Sequence, residues 1–179
     1  MSIIAYKIED RRIIVGADGR LTSGDLIIDE NADKIYKISD SLIIGATGLS
    51  DATDIFKKFV EENKEIFENI HSSEEFLEQA KELKEYFMEY YGYRESTIMK
   101  EFGGFLIVNK HYHGTLYYSD ENCFPYIIGN AEKNGCLGSP AVYTQALLDI
   151  GCSIDNAIKV TARRYNSIND NVKLLEIKL

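Results

Sequence analysis

The segment from residue 2 to residue 18 reads SIIAYKIEDRRIIVGAD. Two runs rich in β-branched and aromatic side chains, Ile3 to Ile8 and Ile13 to Ala17, are separated by the charged stretch Glu9–Arg12. Two such runs joined by a short polar break are typical of a β-hairpin. The sequence therefore predicts that this segment forms two antiparallel strands.

Strand-like runs continue after this hairpin and then give way to helical periodicity. Between residues 52 and 70 the apolar side chains repeat at the spacing of one helix face, which predicts a helix. Ser72 and Glu75 form a capping-box pattern, which predicts that a second helix begins there. The strand-like runs before these helices are Leu26–Ile28, Ile35–Ile38 and Leu42–Ala46.

The second half of the chain repeats this order of strands and then helices. Strands are predicted over 104–109, 115–118 and 126–128, with Gly114 in a turn, followed by helices over 141–150 and 153–164 and a strand over 172–179. Two stacked antiparallel sheets, each covered outside by a helix pair, satisfy this order without leaving an apolar face exposed. The pattern alone predicts an α+β fold formed by one domain over residues 1–179, and a four-layer αββα sandwich is an arrangement that satisfies it.

Composition excludes several classes of protein. The 179 residues carry a net charge of −9, which argues against binding to nucleic acid or to an anionic membrane surface. No apolar run is long enough to span a membrane, and the opening residues lack the apolar core of a signal peptide, so a cytoplasmic location is expected. The three cysteines predict no disulfide framework. His111 and His113 have no Cys or carboxylate at ligand spacing, so neither a metal nor a cofactor is expected.

The second residue can carry chemistry. Methionine aminopeptidases act when the next side chain is small, and Ser2 is small. A chain that begins at Ser2 has a hydroxyl and a free α-amine on one residue, and an amine with a pKa of about 7.7–8.0 can act as a base near neutral pH. Many proteins begin with Met-Ser, so position alone does not identify a nucleophile.

Spacing adds the specific signal. The intervals from Ser2 to Asp18, from Asp18 to Lys34 and from Lys34 to Gly48 are 16, 16 and 14 residues. In this the sequence resembles proteasome β-subunits and the HslV-type peptidases, and its opening is similar to those of bacterial and phage proteasome-like proteins. The segment Leu137–Pro140 resembles the Gly-Ser-Gly segment that contributes a serine, here Ser139, to the same site. The resemblance covers essentially the whole chain and implies the N-terminal-nucleophile (Ntn) hydrolase fold.

The resemblance implies a role for each of these residues. Ser2 is the nucleophile, Lys34 supplies a fixed positive charge, and Asp18 is the partner that a buried lysine needs. The N–H of Gly48 binds the oxyanion, and Ser139 bonds the α-amine or a water. The alternatives are that Lys34 is a surface lysine, that Gly48 is only a turn, and that Ser139 is a helix cap.

The resemblance also implies how a substrate binds. Backbone groups of Thr22 and Gly48 would pair with an extended peptide, as in strand addition. The first specificity pocket, which holds the side chain before the cleaved bond (P1), would be lined by five uncharged residues, with Ala46 as its floor. An apolar P1 residue is therefore expected, and Ala46→Arg should shift the preference toward acidic residues. The lining residues are Leu21, Ala32, Tyr36, Ala46 and Ser50.

Four departures from the family pattern affect the site. The nucleophile is Ser rather than Thr, and Pro140 replaces the second glycine of Gly-Ser-Gly. In a second register Met1 would take the nucleophile's position, which gives an inactive site if Met1 stays. The family's late acidic residue is absent, and Asn166 and Ser167 stand where it is expected.

Three functions follow from the resemblance. The first is a peptidase subunit of the threonine-protease type that acts on peptides or unfolded proteins. The second is an inactive, ring-forming structural paralogue, and the third is an Ntn amidohydrolase that acts on small amides. A homo-oligomeric ring is expected, with apolar residues such as Phe87 and Tyr90 able to reach a neighbouring subunit. Because no phosphate loop is visible, any unfolding ATPase is a separate partner.

Overall fold

The computed structural model describes residues 2–92, 102–118, 125–128 and 133–179. Within these ranges the chain forms eleven strands and five helices. The strands are β1 (Ile3–Glu9), β2 (Arg12–Asp18), β3 (Leu21–Ser23), β4 (Leu26–Asp29), β5 (Ile35–Lys37), β6 (Leu42–Gly48), β7 (Phe102–Asn109), β8 (His113–Tyr118), β9 (Pro125–Ile128), β10 (Asn134–Gly138) and β11 (Val172–Lys178). The helices are α1 (Ser50–Glu62), α2 (Lys64–Glu68), α3 (Ser73–Tyr91), α4 (Ala141–Asp149) and α5 (Ile154–Ala162).

Two antiparallel sheets form the centre of the molecule. One has four strands in the order β10-β1-β2-β11, and the other has five in the order β5-β6-β7-β8-β9. Strands β3 and β4 pair only with each other among the described strands. The predicted hairpin is confirmed, and its two turn residues, Asp10 and Arg11, have φ of 42° and 66°. Positive φ at both central residues is the signature of the tight turn that suits the twist of a hairpin.

Alternation along β1 shows how the layers stack. Ile3 and Ala5 face the helices α4 and α5, whereas Ile4 and Tyr6 pack against the five-stranded sheet. Because both faces of this strand are buried, its sequence is a continuous apolar run rather than a polar alternation. Helices α1 and α3 cover the far side of the five-stranded sheet. The predicted αββα sandwich is confirmed.

Several elements differ in detail from the prediction. The helix predicted over residues 52–70 is two helices, α1 and α2, which meet at Asn63, whose backbone has a non-helical φ of −112° and ψ of 26°. The capping box is present, since the Glu75 N–H donates to Ser72 Oγ at 3.2 Å. Gly114, predicted in a turn, lies within β8 instead. Strands β3 and β10 were not predicted.

Helix α3 is amphipathic and packs firmly on the sheet. Phe87, which was expected to be able to reach a neighbouring subunit, is fully buried under this helix. That expectation is wrong for Phe87, and the side chain of Tyr90 lies outside the described residues. No helix in the described ranges combines the length and apolar character that a membrane-spanning helix needs.

Candidate active site

A buried ion pair joins the ends of two strands. Asp18 ends β2, Lys34 directly precedes β5, and Lys34 Nζ lies 2.7 Å from Asp18 Oδ1. The two residues are only 1% and 5% exposed. The carboxylate also accepts from the Ile3 N–H at 2.9 Å and from the Arg20 N–H at 3.0 Å. A carboxylate with three donors is well stabilised in spite of its burial.

The Lys34 amine is held from two sides. Besides Asp18, it donates to the Arg20 carbonyl at 2.7 Å. Burial lowers the pKa of Lys34 below its usual value, the charge of Asp18 opposes this shift, and the nearby charge of Arg20 adds to it. An ammonium group has three N–H donors, and the third has no partner among the described residues. It is therefore available to a group in the neighbouring pocket.

That pocket brings most of the predicted residues together. It has a volume of about 90 Å³ and holds Ser2, Lys34 and Gly48 in one lining. All five residues predicted for the specificity pocket also line it, namely Leu21, Ala32, Tyr36, Ala46 and Ser50. Gly48 has φ of 113°, which favours glycine, and two residues later helix α1 begins. The positive end of this helix dipole therefore lies at the pocket.

The pocket also carries charge that the sequence did not predict. Two carboxylates, Asp33 and Asp54, contribute to its lining. Asp33 pairs with Lys173 at 2.7 Å, whereas Asp54 has no ion pair among the described residues. Burial and the charges of Asp54 and Asp33 raise the pKa of Tyr36, which keeps its hydroxyl protonated and donating to the Asp33 carbonyl at 2.8 Å. Asp54 therefore adds to the pocket lining a carboxylate that has no ion-pair partner among the described residues.

Strand β10 approaches the backbone of Ser2 very closely. A Cβ at Gly138, which has φ of 119°, would lie 2.0 Å from the Ser2 carbonyl oxygen, so only glycine fits there. Ile3 pairs with Gly138, which brings Ser139 close to Ser2 along the two strands. Ser139 is nevertheless exposed and does not line the pocket. Its role stays a prediction.

Three of the predicted residues line a different cleft. Thr22, Asn166 and Ser167 lie together in a larger opening of about 830 Å³ between the β3–β4 hairpin and the loop after α5. The buried Oγ of Ser167 has no hydrogen-bond partner among the described residues. The structure therefore separates these residues from the pocket that contains Ser2.

A polar network behind the ion pair was missed from the sequence. Arg20 binds both carboxylate oxygens of Glu30, with Nε and Nη2 each at 3.0 Å. Asn169 is buried, accepts from the Gly19 N–H at 2.9 Å and donates to the Glu30 carbonyl at 2.8 Å. No sequence signal marks this network, because Asn169 is 139 residues from Glu30 and 150 from Gly19.

The other residues considered for chemistry lie elsewhere. His113 stacks on Tyr6 with ring centroids 5.0 Å apart, whereas His111 stacks on His71 at 4.3 Å. The two histidines therefore face different neighbours. Burial raises the pKa of the Cys136 thiol to about 12, which keeps it protonated and unreactive. Cys123 lies outside the described residues.

Comparisons with known proteins agree with the fold. The family model described as "Proteasome subunit" matches residues 1–123. The fold is similar to eukaryotic HslV from Trypanosoma brucei, with a TM-score of 0.72 and 14% identity over 99% of both chains. It is also similar to Thiobacillus denitrificans BPH in complex with Epoxomicin, with a TM-score of 0.75 and 14% identity over 99% of this chain and 98% of that one. No curated protein sequence matches significantly.

Proposed function

Because this chain belongs to the proteasome subunit family, we propose that it is an Ntn peptidase whose nucleophile is Ser2, exposed by removal of Met1. The observation that carries this proposal is the shared pocket of Ser2, Lys34 and Gly48, with an N–H of Lys34 that has no partner among the described residues. A hydroxyl, a fixed cation and a glycine N–H are the groups that acyl transfer requires.

The reaction proceeds in two steps. Ser2 Oγ attacks the peptide carbonyl while the α-amine of the same residue takes the hydroxyl proton. The oxyanion is stabilised by the Gly48 N–H and by the positive end of α1. The amine then gives the proton to the leaving nitrogen, the C–N bond breaks, and an ester to Ser2 remains. Water hydrolyses this ester and regenerates the hydroxyl.

A peptide warhead that reacts with hydroxyl and amine groups tests the assignment directly. The purified protein is treated with the warhead, or with Epoxomicin, which BPH binds, and the adduct is mapped by mass spectrometry. An adduct on Ser2 of a chain that lacks Met1 supports the peptidase. Met1 retained without an adduct identifies a ring-forming subunit without activity. Hydrolysis of small amides but not of peptides identifies an amidohydrolase.

The pocket predicts which P1 residue is accepted. Its floor, Ala46, is buried, and Leu21 and Tyr36 give apolar surface, so Leu or Tyr at P1 gains about 1.5–3 kcal/mol on burial. A lysine can place its apolar stem there and its ammonium at Asp54. In a fluorogenic panel that differs only at P1, we expect Leu, Tyr and Lys to be cleaved well and Glu poorly.

The variant Asp54→Asn supplies the control within the same panel. It should lower kcat/KM for the P1-Lys peptide by about two- to fivefold, which corresponds to the roughly 0.5–1 kcal/mol of an exposed ion pair. The P1-Leu peptide should be unaffected. A strong preference of the wild-type protein for Glu would show that the pocket is assigned wrongly.

We further propose that the chain assembles into a ring. A peptidase of this type must hide its nucleophile from folded proteins, and symmetric closure does so. Apolar side chains on β4, on α4 and directly after α4 are available for subunit contacts, since Leu26, Val142 and Ile150 are 69%, 88% and 78% exposed. Sedimentation at micromolar concentration should show a species many times larger than 20.3 kDa. A monomer alone would contradict this.

A further inference from the structure

Lys34 is held partly by a backbone carbonyl, so its position depends on what fixes that carbonyl. The acceptor belongs to Arg20, whose N–H also donates to Asp18. Two of the groups that hold the buried ion pair in place are therefore on one residue of an irregular turn between β2 and β3, and a third is the Ile3 N–H. A turn of this kind needs support from outside, because it has no ladder of strand hydrogen bonds.

That support comes from two residues distant in sequence. We propose that Glu30 and Asn169 form a clamp that positions the Arg20 backbone and thereby sets the position and proton affinity of the Lys34 amine beside Ser2. Glu30 and Asn169 are positioning residues, since neither lines the pocket. The proposal rests on the proposed function for its catalytic consequence, whereas the effect on Lys34 can be measured without activity.

The contacts of the clamp converge on the turn from three directions. The Glu30 carboxylate binds the Arg20 guanidinium through two parallel hydrogen bonds, a geometry that fixes orientation as well as distance. Asn169 donates to the same carboxylate at 2.6 Å while its oxygen holds the Gly19 N–H. The Gly19 carbonyl in turn accepts from the Ala32 N–H at 2.8 Å.

Gly19 allows this close approach. A Cβ at Gly19 would lie 2.7 Å from the Glu30 carbonyl oxygen, so the turn and the loop that carries Glu30 are in direct backbone contact. The hydrogen bonds from Arg20 and Asn169 lower the pKa of the Glu30 carboxyl, which keeps it ionised at neutral pH. The clamp thus has a permanent charge at its centre.

Each contact of the Glu30 carboxylate is as an acceptor. One oxygen accepts from Arg20 Nε and from Asn169, and the other accepts from Arg20 Nη2. In the variant Glu30→Gln an NH2 group replaces one carboxylate oxygen. This group cannot accept, so the hydrogen bonds on that side of the clamp are lost. Asn169→Asp keeps an acceptor for Gly19 but places a second carboxylate against Glu30. Asn169→Ala removes all three hydrogen bonds of this side chain, to the Gly19 N–H and to the carbonyl and carboxylate of Glu30.

A matched control is available on strand β11. Glu176 binds Arg12 at 3.2 Å, and its side chain is 46% exposed, as is that of Glu30. The variant Glu176→Gln removes an ion pair whose carboxylate is equally exposed and that does not involve the turn. Any general effect of losing one surface carboxylate should appear in this control as well.

The experiment measures the reactivity of Lys34 with an amine-acylating reagent as a function of pH. Only the neutral amine reacts, so the midpoint of the pH dependence reports the proton affinity of Lys34. The exposed Lys159 in the same molecule serves as the internal standard. Burial and the charge of Arg20 lower the pKa of Lys34. Loosening the clamp admits water and releases Arg20, so the midpoint should move to higher pH in all three clamp variants and not in Glu176→Gln.

Kinetics supply the second measurement. We expect the clamp variants to lose about tenfold in kcat with little change in KM, because orienting contacts of this kind act on the reacting groups and not on the substrate. An unchanged Lys34 midpoint in folded Glu30→Gln and Asn169→Asp would overturn the clamp. A shifted midpoint in a protein without peptidase activity would support the clamp and reject the proposed function.

Discussion

Replacing Ser2 by alanine should reduce peptide hydrolysis by about 10⁶-fold, the loss seen when a serine nucleophile that works with its base is removed. The pocket retains Lys34 and Gly48, but neither can form the acyl-enzyme. Because Ser2 precedes β1 and its side chain makes no hydrogen bond within the described part of the chain, the melting temperature should stay close to that of the wild type. The measurement is kcat/KM on the best peptide of the P1 panel, with thermal unfolding of the same preparation.

The variant Ser2→Thr is the matched control. Threonine keeps the hydroxyl, remains small enough for removal of Met1, and has a methyl group that restricts χ1. It should therefore retain activity, and the intact masses of both variants should show a chain that begins at residue 2. Full activity in Ser2→Ala would remove Ser2 as the nucleophile. Activity in a protein that keeps Met1 would remove the α-amine as the base.

The layers of the fold were predictable because local pattern and tertiary packing agree. The hairpin of β1 and β2 follows from two apolar runs around a charged turn, and the start of α3 follows from Ser72 and Glu75. Strand β10 was missed because two of its five residues are glycines, which do not favour a strand. The segment forms a strand because it pairs with β1. Tertiary pairing overrides weak local preference in such strands.

Sequence spacing predicted only some of the residues around the pocket. The intervals of 16, 16 and 14 residues selected Ser2, Asp18, Lys34 and Gly48 through their match to the family pattern, and each of these residues lies near the start or the end of a strand. Asp33 and Asp54 contribute to the lining through side-chain direction, which spacing does not reveal. Glu30 and Asn169 meet Arg20 and Gly19 through contacts between distant loops, and no local pattern encodes them.

Loss of Lys34 should have the second large effect, on stability as well as on activity. In Lys34→Met the Asp18 carboxylate stays buried with only backbone donors, and breaking a buried pair in this way costs about 3–5 kcal/mol. Lys159→Met is the control, since that residue forms an exposed pair with Asp155 and should cost about 0–1 kcal/mol. Adding Asp18→Asn to Lys34→Met removes the unpaired charge and should recover part of the loss. Equal costs for the two lysine variants in denaturant unfolding would contradict a buried pair.

The pH dependence of Lys34→Met separates its electrostatic role from its structural one. A cation near the α-amine of Ser2 disfavours protonation of that amine, so removing the cation raises the amine pKa. The acid limb of kcat/KM reports the base of the free enzyme and should therefore move to higher pH in the variant.

The pH dependence of stability provides a second test. Burial lowers the Lys34 pKa below 10.5 in the folded chain. Just below that pH the unfolded chain therefore binds more protons than the folded chain, so the free energy of unfolding of the wild type rises with pH there. The variant should lack this rise in the free energy of unfolding. An acid limb of kcat/KM at the wild-type position would show that Lys34 does not act on the base.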